Sequence, residues 1–315
     1  MPNYQGVWSL SEQYQNASGW PKYVAPFALF AGGRISGGGT DTSSVDYVTI
    51  STTGNATDFG DLTFAREGLA GASSSTRGLV GGGYNTSNVD YVTMASTGSG
   101  SNFGNLSYGP ENPTAFSNST RAIFAGGYAP SSSRNEIEYF TIASTGNATD
   151  FGDMTASLSS MGSNSPASPT RGLIAGGYTG TARVNTIQYV TTATTGNALD
   201  FGDLLAAVST ITGCSDSTRA VWANGSPGST SNVIEYATIA STGNSADFGD
   251  ATISNYNRAA AASTSRAVYA GGQSGPSNVM DYVTIQTTGN ATDFGDLSTP
   301  RGGSAGCSSA HGGLS

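Results

Sequence analysis

Apolar residues along this chain occur in short runs that are separated by glycine-rich or polar turns, and the same order of runs recurs. Each unit has an apolar run that ends in glycines, for example residues 77–83, and then a β-branched and aromatic run, for example residues 89–94. A Thr-Gly turn leads from there to an Asp-Phe-Gly-Asp piece. Runs of this length and composition between turn signals predict β-strands.

The unit is repeated six times, with a tyrosine and a Phe-Gly pair at corresponding places. Successive tyrosines are 44, 48, 50, 47 and 46 residues apart, and this period is typical of β-propeller blades. The tyrosines are Tyr47, Tyr91, Tyr139, Tyr189, Tyr236 and Tyr282. The phenylalanines are Phe59, Phe103, Phe151, Phe201, Phe248 and Phe294.

The strands carry large apolar side chains on both faces. Ile123 and Phe124 are consecutive and therefore point to opposite sides of one strand. A sheet packed between two neighbouring sheets buries both faces, whereas a sheet with one wet face would alternate apolar and polar residues. The pattern thus indicates blades that stack side by side.

A fourth strand in each unit is predicted from segments of small residues that precede the apolar runs, such as residues 68–76 and 259–265. Small side chains suit the crowded innermost strand of a propeller. The first apolar run has no such segment before it, but one follows the last Phe-Gly pair, at residues 302–309. We therefore predict an all-β fold, a six-bladed β-propeller with four-stranded blades over residues 25–315, closed by a C-terminal inner strand.

The unit resembles kelch-type β-propeller blades in its run ending in Gly-Gly, its tyrosine strand and its small-residue inner strand, although Phe-Gly stands where kelch blades usually have tryptophan. The repeat motif, Tyr-Val-Thr-Ile followed by Thr-Gly-Asn-Ala-Thr-Asp-Phe-Gly-Asp-Leu, is similar to the repeats of proteins from tailed bacteriophages, notably those of marine and cyanobacterial hosts. The N-terminal Gly-Val-Trp-Ser-Leu resembles the start of phage structural proteins. The resemblance implies a virion component, such as a tail fibre, appendage or decoration subunit, assembled in the host cytoplasm.

Residues 1–24 fall outside the repeat and form a predicted N-terminal extension. They hold two of the three tryptophans, and an exposed aromatic cluster needs something to cover it. The extension either folds back on the propeller or docks on other virion proteins, in many copies per particle. The candidate docking residues are Trp8, Leu10, Tyr14 and Trp20.

Composition argues against several partners. The formal charge is -9 and Lys22 is the only lysine, so the chain lacks the positive charge that binding to nucleic acid requires. No stretch approaches 18 apolar residues, so membrane insertion is not expected. Cys214 and Cys307 occupy matching places in two units and are expected to be small buried thiols.

Comparison of equivalent positions in the repeat units argues against catalytic and metal sites. We therefore expect no enzyme activity, metal or cofactor. Asp58 and Asp61 are replaced by Asn102 and Asn105 in the second unit, so these positions need only a hydrogen-bonding group. Kelch-type copper chemistry needs at least two histidines, and a serine triad would depend on His311, the only histidine.

Two further groups of residues carry expectations. The arginines that begin the second strands are expected to reach the acids of the Phe-Gly piece: Arg77, Arg121, Arg171, Arg219 and Arg266. Tyr84, Tyr128 and Tyr178 follow the Gly-Gly pair in three units and are candidate receptor-binding residues. These tyrosines would contact a host surface glycan or protein, or else anchor their own loops. For the whole protein, the alternatives to a virion component are a cytoplasmic kelch-like scaffold and a lectin-like propeller that binds carbohydrate.

Overall fold

The computed structural model describes residues 25–35 and 39–314, which form a ring of six blades. The extension with Trp8, Leu10, Tyr14 and Trp20 lies outside the described residues. The strands are β1 (Phe27–Ala31), β2 (Ser44–Thr49), β3 (Thr57–Asp61), β4 (Leu69–Ser73), β5 (Arg77–Gly82), β6 (Asn88–Thr93), β7 (Ser101–Asn105), β8 (Thr114–Ser117), β9 (Arg121–Ala125), β10 (Tyr128–Ala129), β11 (Ser132–Thr141), β12 (Thr149–Leu158), β13 (Arg171–Ala175), β14 (Val184–Thr191), β15 (Leu199–Val208), β16 (Thr212–Ser215), β17 (Arg219–Ala223), β18 (Ser231–Thr238), β19 (Ala246–Asn255), β20 (Ala259–Ala262), β21 (Arg266–Ala270), β22 (Ser277–Thr284), β23 (Thr292–Arg301) and β24 (Ala305–Ser308).

Each blade is an antiparallel meander that runs from an inner strand to an outer one. From the inside outward, the blades are β24-β1-β2-β3, β4-β5-β6-β7, β8-β9-β11-β12, the segment 163–168 with β13-β14-β15, β16-β17-β18-β19, and β20-β21-β22-β23. We number them 1 to 6 in this order. The short β10 pairs with the start of β11 in a loop of blade 3. The all-β, six-bladed prediction is confirmed.

The inner segment of blade 4 is irregular because one proline lies within it and a second follows it directly. Ala167 forms a single bridge to Gly172, and Leu173 N–H bonds to the carbonyl of Pro166. Pro166 and Pro169 cannot donate backbone hydrogen bonds, so this segment does not continue as a regular ladder.

The ring is closed in blade 1, where β24 pairs with β1. The register joins Ala28 to Ser308 and Ala31 to Ala305, so the last strand of the chain becomes the inner strand of the first blade. This is the closure that the unpaired small-residue segment predicts.

Both faces of the blades are buried, as the sequence indicates. In blade 3, Ile123 packs in a core cluster with residues of blade 4, while Phe124 packs in the cluster shared with blade 2. The six phenylalanines of the Phe-Gly pairs are all at most 4% exposed. The hydrophobic core is thus a series of interfaces between adjacent blades.

The Thr-Gly turn and the Phe-Gly pair form a seam between successive blades. In blade 4 the Gly196 N–H bonds to the carbonyl of Phe151 in blade 3, and Ala198 N–H bonds to the carbonyl of Asp153. A Cβ on Gly152 would lie 2.6 Å from the carbonyl carbon of Gly196, so only glycine allows this approach. The same contact recurs at all six junctions, including blade 6 with blade 1.

A buried acceptor before each repeat tyrosine reinforces the junctions. Asp46 in blade 1 accepts hydrogen bonds from the N–H and hydroxyl of Ser298 in blade 6, and Gln188 in blade 4 accepts the same pair from Thr155 in blade 3. An uncharged amide therefore serves this position as well as a carboxylate does. Where the acceptor is aspartate, a buried arginine pairs with it: Arg66–Asp90, Arg258–Asp281 and Arg301–Asp46, at 2.9 to 3.0 Å.

The expectation that the second-strand arginines reach the acids of the Phe-Gly piece is wrong. Arg77 stacks on the Tyr91 ring at 5.0 Å and donates to the carbonyls of Ile142 and Ala143 in the next blade. The tyrosine strand lies between the second and fourth strands, so its ring covers the direct path to the acids. Arg121, Arg171, Arg219 and Arg266 repeat this arrangement.

The six blade-to-blade connections meet around the channel axis in a closed circle of backbone hydrogen bonds. Gly68 N–H bonds to Gly303 O, Asn112 to Gly68, Met161 to Asn112, Thr210 to Ser160, Asn257 to Thr210 and Gly303 to Asn257. The six equivalent residues all have left-handed φ angles, between 49° and 69°. They are Gly68, Asn112, Ser160, Thr210, Asn257 and Gly303.

Replacing Thr210 with asparagine should stabilise the protein. A β-branched residue is poorly suited to the left-handed region, where Thr210 has a φ of 52°, and asparagine already occupies two equivalent positions. We expect Thr210→Asn to raise the free energy of unfolding by about 1 kcal/mol in urea titration. Thr195→Asn, the same change in an exposed turn outside that region, should have little effect. A lower stability for Thr210→Asn would contradict this account of the circle.

Candidate functional site

The central channel is too small to hold a substrate. It is lined by inner strands of small residues and has a volume of about 40 Å³, whereas small-molecule sites occupy roughly 300 to 1,000 Å³. Asn164 of blade 4 crosses it and bonds through its amide to the carbonyls of Gly71 in blade 2 and Gly306 in blade 1. The channel is therefore part of the core.

The end of the chain caps the channel at the face that holds the Thr-Gly turns. His311 is half-buried there, with Nε2 at 2.8 Å from the carbonyl of Ser73 and Nδ1 accepting the N–H of Gly313. Because a carbonyl oxygen only accepts, Nε2 carries the proton. Burial lowers the pKa of His311, and the Ser73 carbonyl opposes this effect. Ser117 lies 3.2 Å from Nε2, but the protonated nitrogen cannot act as its base.

The opposite face, which we call the mouth, is where the Gly-Gly loops and the blade-to-blade connections alternate around the axis. Each loop is hydrogen-bonded to the connection before it and to the one after it, as in blade 2, where Tyr84 N–H bonds to Glu67 O and Gly83 N–H bonds to Pro110 O. The mouth ring consists of the residues brought side by side in this way. In order they are Arg34, Glu67, Tyr84, Glu111, Tyr128, Ser159, Tyr178, Ser209, Ser226, Tyr256, Gln273 and Gly302.

The three candidate tyrosines all lie in the mouth ring, on consecutive blades. The side chains of Tyr84 and Tyr128 are 61% and 45% exposed, and Tyr178 is half-buried. Their backbones are fixed by pairing with Glu67, Glu111 and Ser159. Two rings are thus presented to solvent on a rigid backbone, and a third is partly covered.

Arg34 and Glu67 form the start of a polar network at the mouth. Arg34 donates to Glu67 at 2.7 Å and to Asp41 at 3.0 Å, while Gln273 donates to the second oxygen of Glu67 at 3.2 Å. The amide of Asn257 then joins Gln273 to Asn112. Burial raises the pKa of Glu67, and the charge of Arg34 opposes that rise. The network satisfies the Glu67 carboxylate.

Glu111 differs from Glu67 in that its carboxylate has no hydrogen-bond partner among the residues that the structure describes. It lies in the mouth ring between Tyr84 and Tyr128, and it is half-buried. Burial raises its pKa, and the charge of Arg34 opposes this. A half-buried acceptor without a donor is available to a ligand.

The mouth ring is uneven in chemistry. From Arg34 to Tyr128 every member is charged or aromatic, whereas the opposite part, from Ser209 to Gly302, has one aromatic residue, Tyr256, among small or uncharged ones. Sequence reasoning found the tyrosines but missed Arg34, Glu67 and Glu111 as a group. Each lies in a variable position of a different unit, and only the closed ring brings them together.

The described residues offer no alternative centre for metal chemistry. Within 25–35 and 39–314, no three His, Cys, Asp or Glu side chains come together as metal ligands would. Burial raises the pKa of both thiols, Cys214 and Cys307, to about 12, which keeps them protonated. In the same ranges there is no helix long and apolar enough to cross a membrane.

Comparison with protein-family models gave no match, and comparison with curated proteins gave none either.

Proposed function

We propose that this chain is a structural protein of a tailed-phage virion, a fibre, appendage or decoration subunit that uses its propeller to bind a host surface or a partner protein. The similarity of its repeat to phage repeat proteins supports the setting. The observation that carries the binding role is the mouth ring, where the copies of the unit differ in side chain while their backbones coincide.

The side chains of the mouth ring vary from copy to copy, whereas those of the seam between blades hardly vary. At the seam every copy has Phe-Gly opposite a glycine turn, because packing permits little else. At the mouth the same backbone position carries tyrosine in three copies and Arg34, Ser226 and Gln273 in the others. The fold does not require these side chains, so a recognition role explains their chemistry better than a structural role does. Exposed tyrosines among small polar residues are typical of binding surfaces.

The direction of the chain supports attachment through the N-terminal extension. Phe27 N–H bonds to the Ser309 hydroxyl at 3.1 Å, at the end of blade 1 away from the mouth. The first described residues of blade 1, Ala25 and Pro26, therefore lie at the face opposite the mouth. In the proposal, Trp8, Leu10, Tyr14 and Trp20 contact other virion proteins while the mouth faces outward.

Two variants of the phage test the two halves of the proposal. Without residues 1–24, the protein should fold but be lost from purified particles, as measured by mass spectrometry. With Tyr128→Ala and Tyr178→Ala together, particles should assemble normally but adsorb to cells at least about tenfold more slowly, since exposed aromatic residues dominate many interfaces. Tyr256→Ala is the matched control in the same ring.

Each half can fail alone. Normal incorporation of the shortened protein would refute the anchoring role. Unchanged adsorption of the tyrosine variant would refute recognition at the mouth and leave a purely structural subunit. If the protein occurs in cells but never in particles, the cytoplasmic scaffold becomes the better account.

A further inference from the structure

We propose that the part of the mouth ring from Arg34 to Tyr128 binds a neutral carbohydrate, with Glu111 accepting sugar hydroxyls and the two exposed tyrosine rings packing against the apolar face of a pyranose. This inference rests on the proposed recognition role of the mouth and names the chemistry of its ligand.

The backbone places an acceptor between two aromatic rings. Glu111 and Tyr128 exchange both of their backbone hydrogen bonds, each at 2.9 Å. On the other side, Gly83 N–H bonds to the carbonyl of Pro110, so Tyr84 and Glu111 stand on neighbouring hydrogen-bonded segments. Segments joined in this way are about 4.8 Å apart, so Tyr84, Glu111 and Tyr128 stand on three adjacent segments of the mouth.

The carboxylate of Glu111 supplies the polar part of the site. It accepts no hydrogen bond from the described residues, whereas Glu67 nearby is bonded to Arg34 and Gln273. A partly desolvated carboxylate has room for several donors, and two adjacent hydroxyls of a sugar satisfy it well.

The tyrosines supply the apolar part. Tyr84 and Tyr128 are 61% and 45% exposed, and each keeps its backbone fixed by pairing with the neighbouring connection. A rigid aromatic ring offers a flat apolar area and a hydroxyl at little entropic cost. Pyranoses present a matching combination of C–H faces and hydroxyl edges.

The charges favour a neutral ligand. Asp41 and Glu67 both pair with Arg34, and both Asp41 and Glu111 lie near enough to Glu67 to interact with its charge, so the three carboxylates would repel uronic or phosphorylated sugars. A quaternary ammonium group would suit aromatic rings and a carboxylate, but the guanidinium of Arg34 is held 2.7 Å from Glu67 in the same network and opposes it. The closed channel beneath leaves only the surface, so the sugar lies across the mouth.

The experiment applies the full-length protein to an array of oligosaccharides that contains neutral, N-acetylated and uronic-acid residues. We expect retention on neutral or N-acetylated sugars. For the best binder, Glu111→Ala and Tyr128→Ala should each weaken affinity at least about tenfold by calorimetry, while Tyr256→Ala in the opposite half should leave it unchanged. Melting temperatures of the three variants show whether all of them are folded.

Several results would overturn the inference: no retention on any sugar, retention on uronic sugars alone, stronger binding to choline than to sugars, or equal losses for Tyr256→Ala and Tyr128→Ala. If adsorption of phage depends on Tyr128 but the array stays empty, recognition at the mouth survives and its ligand is a protein. If the array is positive but particles lack the protein, the carbohydrate site stands without the virion setting.

Discussion

Removal of residues 303–315 should abolish cooperative folding of the propeller. The deletion takes away β24, so β1 loses its inner partner over the register from Ala28 to Ala31 and exposes a strand edge. It also breaks the circle of connections at Gly303 and removes Gly306, which is bonded to Asn164 across the channel. The loss should approach the roughly 5 to 15 kcal/mol that stabilises a typical domain.

A shorter deletion separates closure from capping. Without residues 310–315 the chain loses the His311 cap but keeps β24, so it should still melt in one transition at a lower temperature. Calorimetry and size-exclusion chromatography on both forms make the comparison. If the longer deletion melts at the temperature of the complete protein, the ring is not held by this strand.

Phe151→Ala should cost about 3 to 5 kcal/mol of the free energy of unfolding, as expected for a fully buried phenylalanine. The ring is 2% exposed and packs edge-on against Tyr139 at a centroid distance of 6.0 Å. Its cluster includes Ile137 of blade 3 and Val190 of blade 4, so the truncation leaves a cavity between two blades.

Asp153→Asn is the matched control, two residues away in the same strand. Its side chain is not part of the core, and the second unit already has Asn105 at the equivalent place. We expect a change below about 0.5 kcal/mol, as for most surface substitutions, measured by chemical denaturation of both variants. A reversed order of the two effects would mean that the acid has a functional role and that inter-blade packing does not explain the repeat.

The fold could be predicted because its determinants recur at equal spacing. Tyr47 and Phe59 have counterparts in every unit, and the segment at residues 302–309 has no strand of its own unit to follow it. Repetition turns a weak local signal into a strong one, since each copy tests the interpretation of the others. The number of blades, the strand order and the closure follow from this.

Contacts between blades could not be predicted in the same way. The partner of Arg77 is the carbonyl of Ile142, and the partner of Gly152 is Gly196, so each contact joins different parts of two successive units. A single unit shows which residues repeat but not which of them meet across a junction. The assignment of the arginines to the acids failed for this reason.

The candidate site was harder to predict from the sequence than the contacts between blades. Its members vary from unit to unit, so the repetition that reveals the core hides them. Tyr84 and Tyr128 could be identified as candidates from the sequence only because tyrosine appears at that position in three copies. Glu111 and Arg34 became significant when the closed ring placed them in the same arc of the mouth.

The pairing of β1 with β24 in blade 1 has a mechanical consequence. A force that pulls residue 25 away from a ligand held at the mouth acts along the axis of β1, because this strand runs from Ser309 toward Arg34. β1 lies between β24 and β2, so its ladders on both sides are loaded in shear. Their hydrogen bonds must then rupture together, and this resists extension more strongly than a ladder that opens one bond at a time.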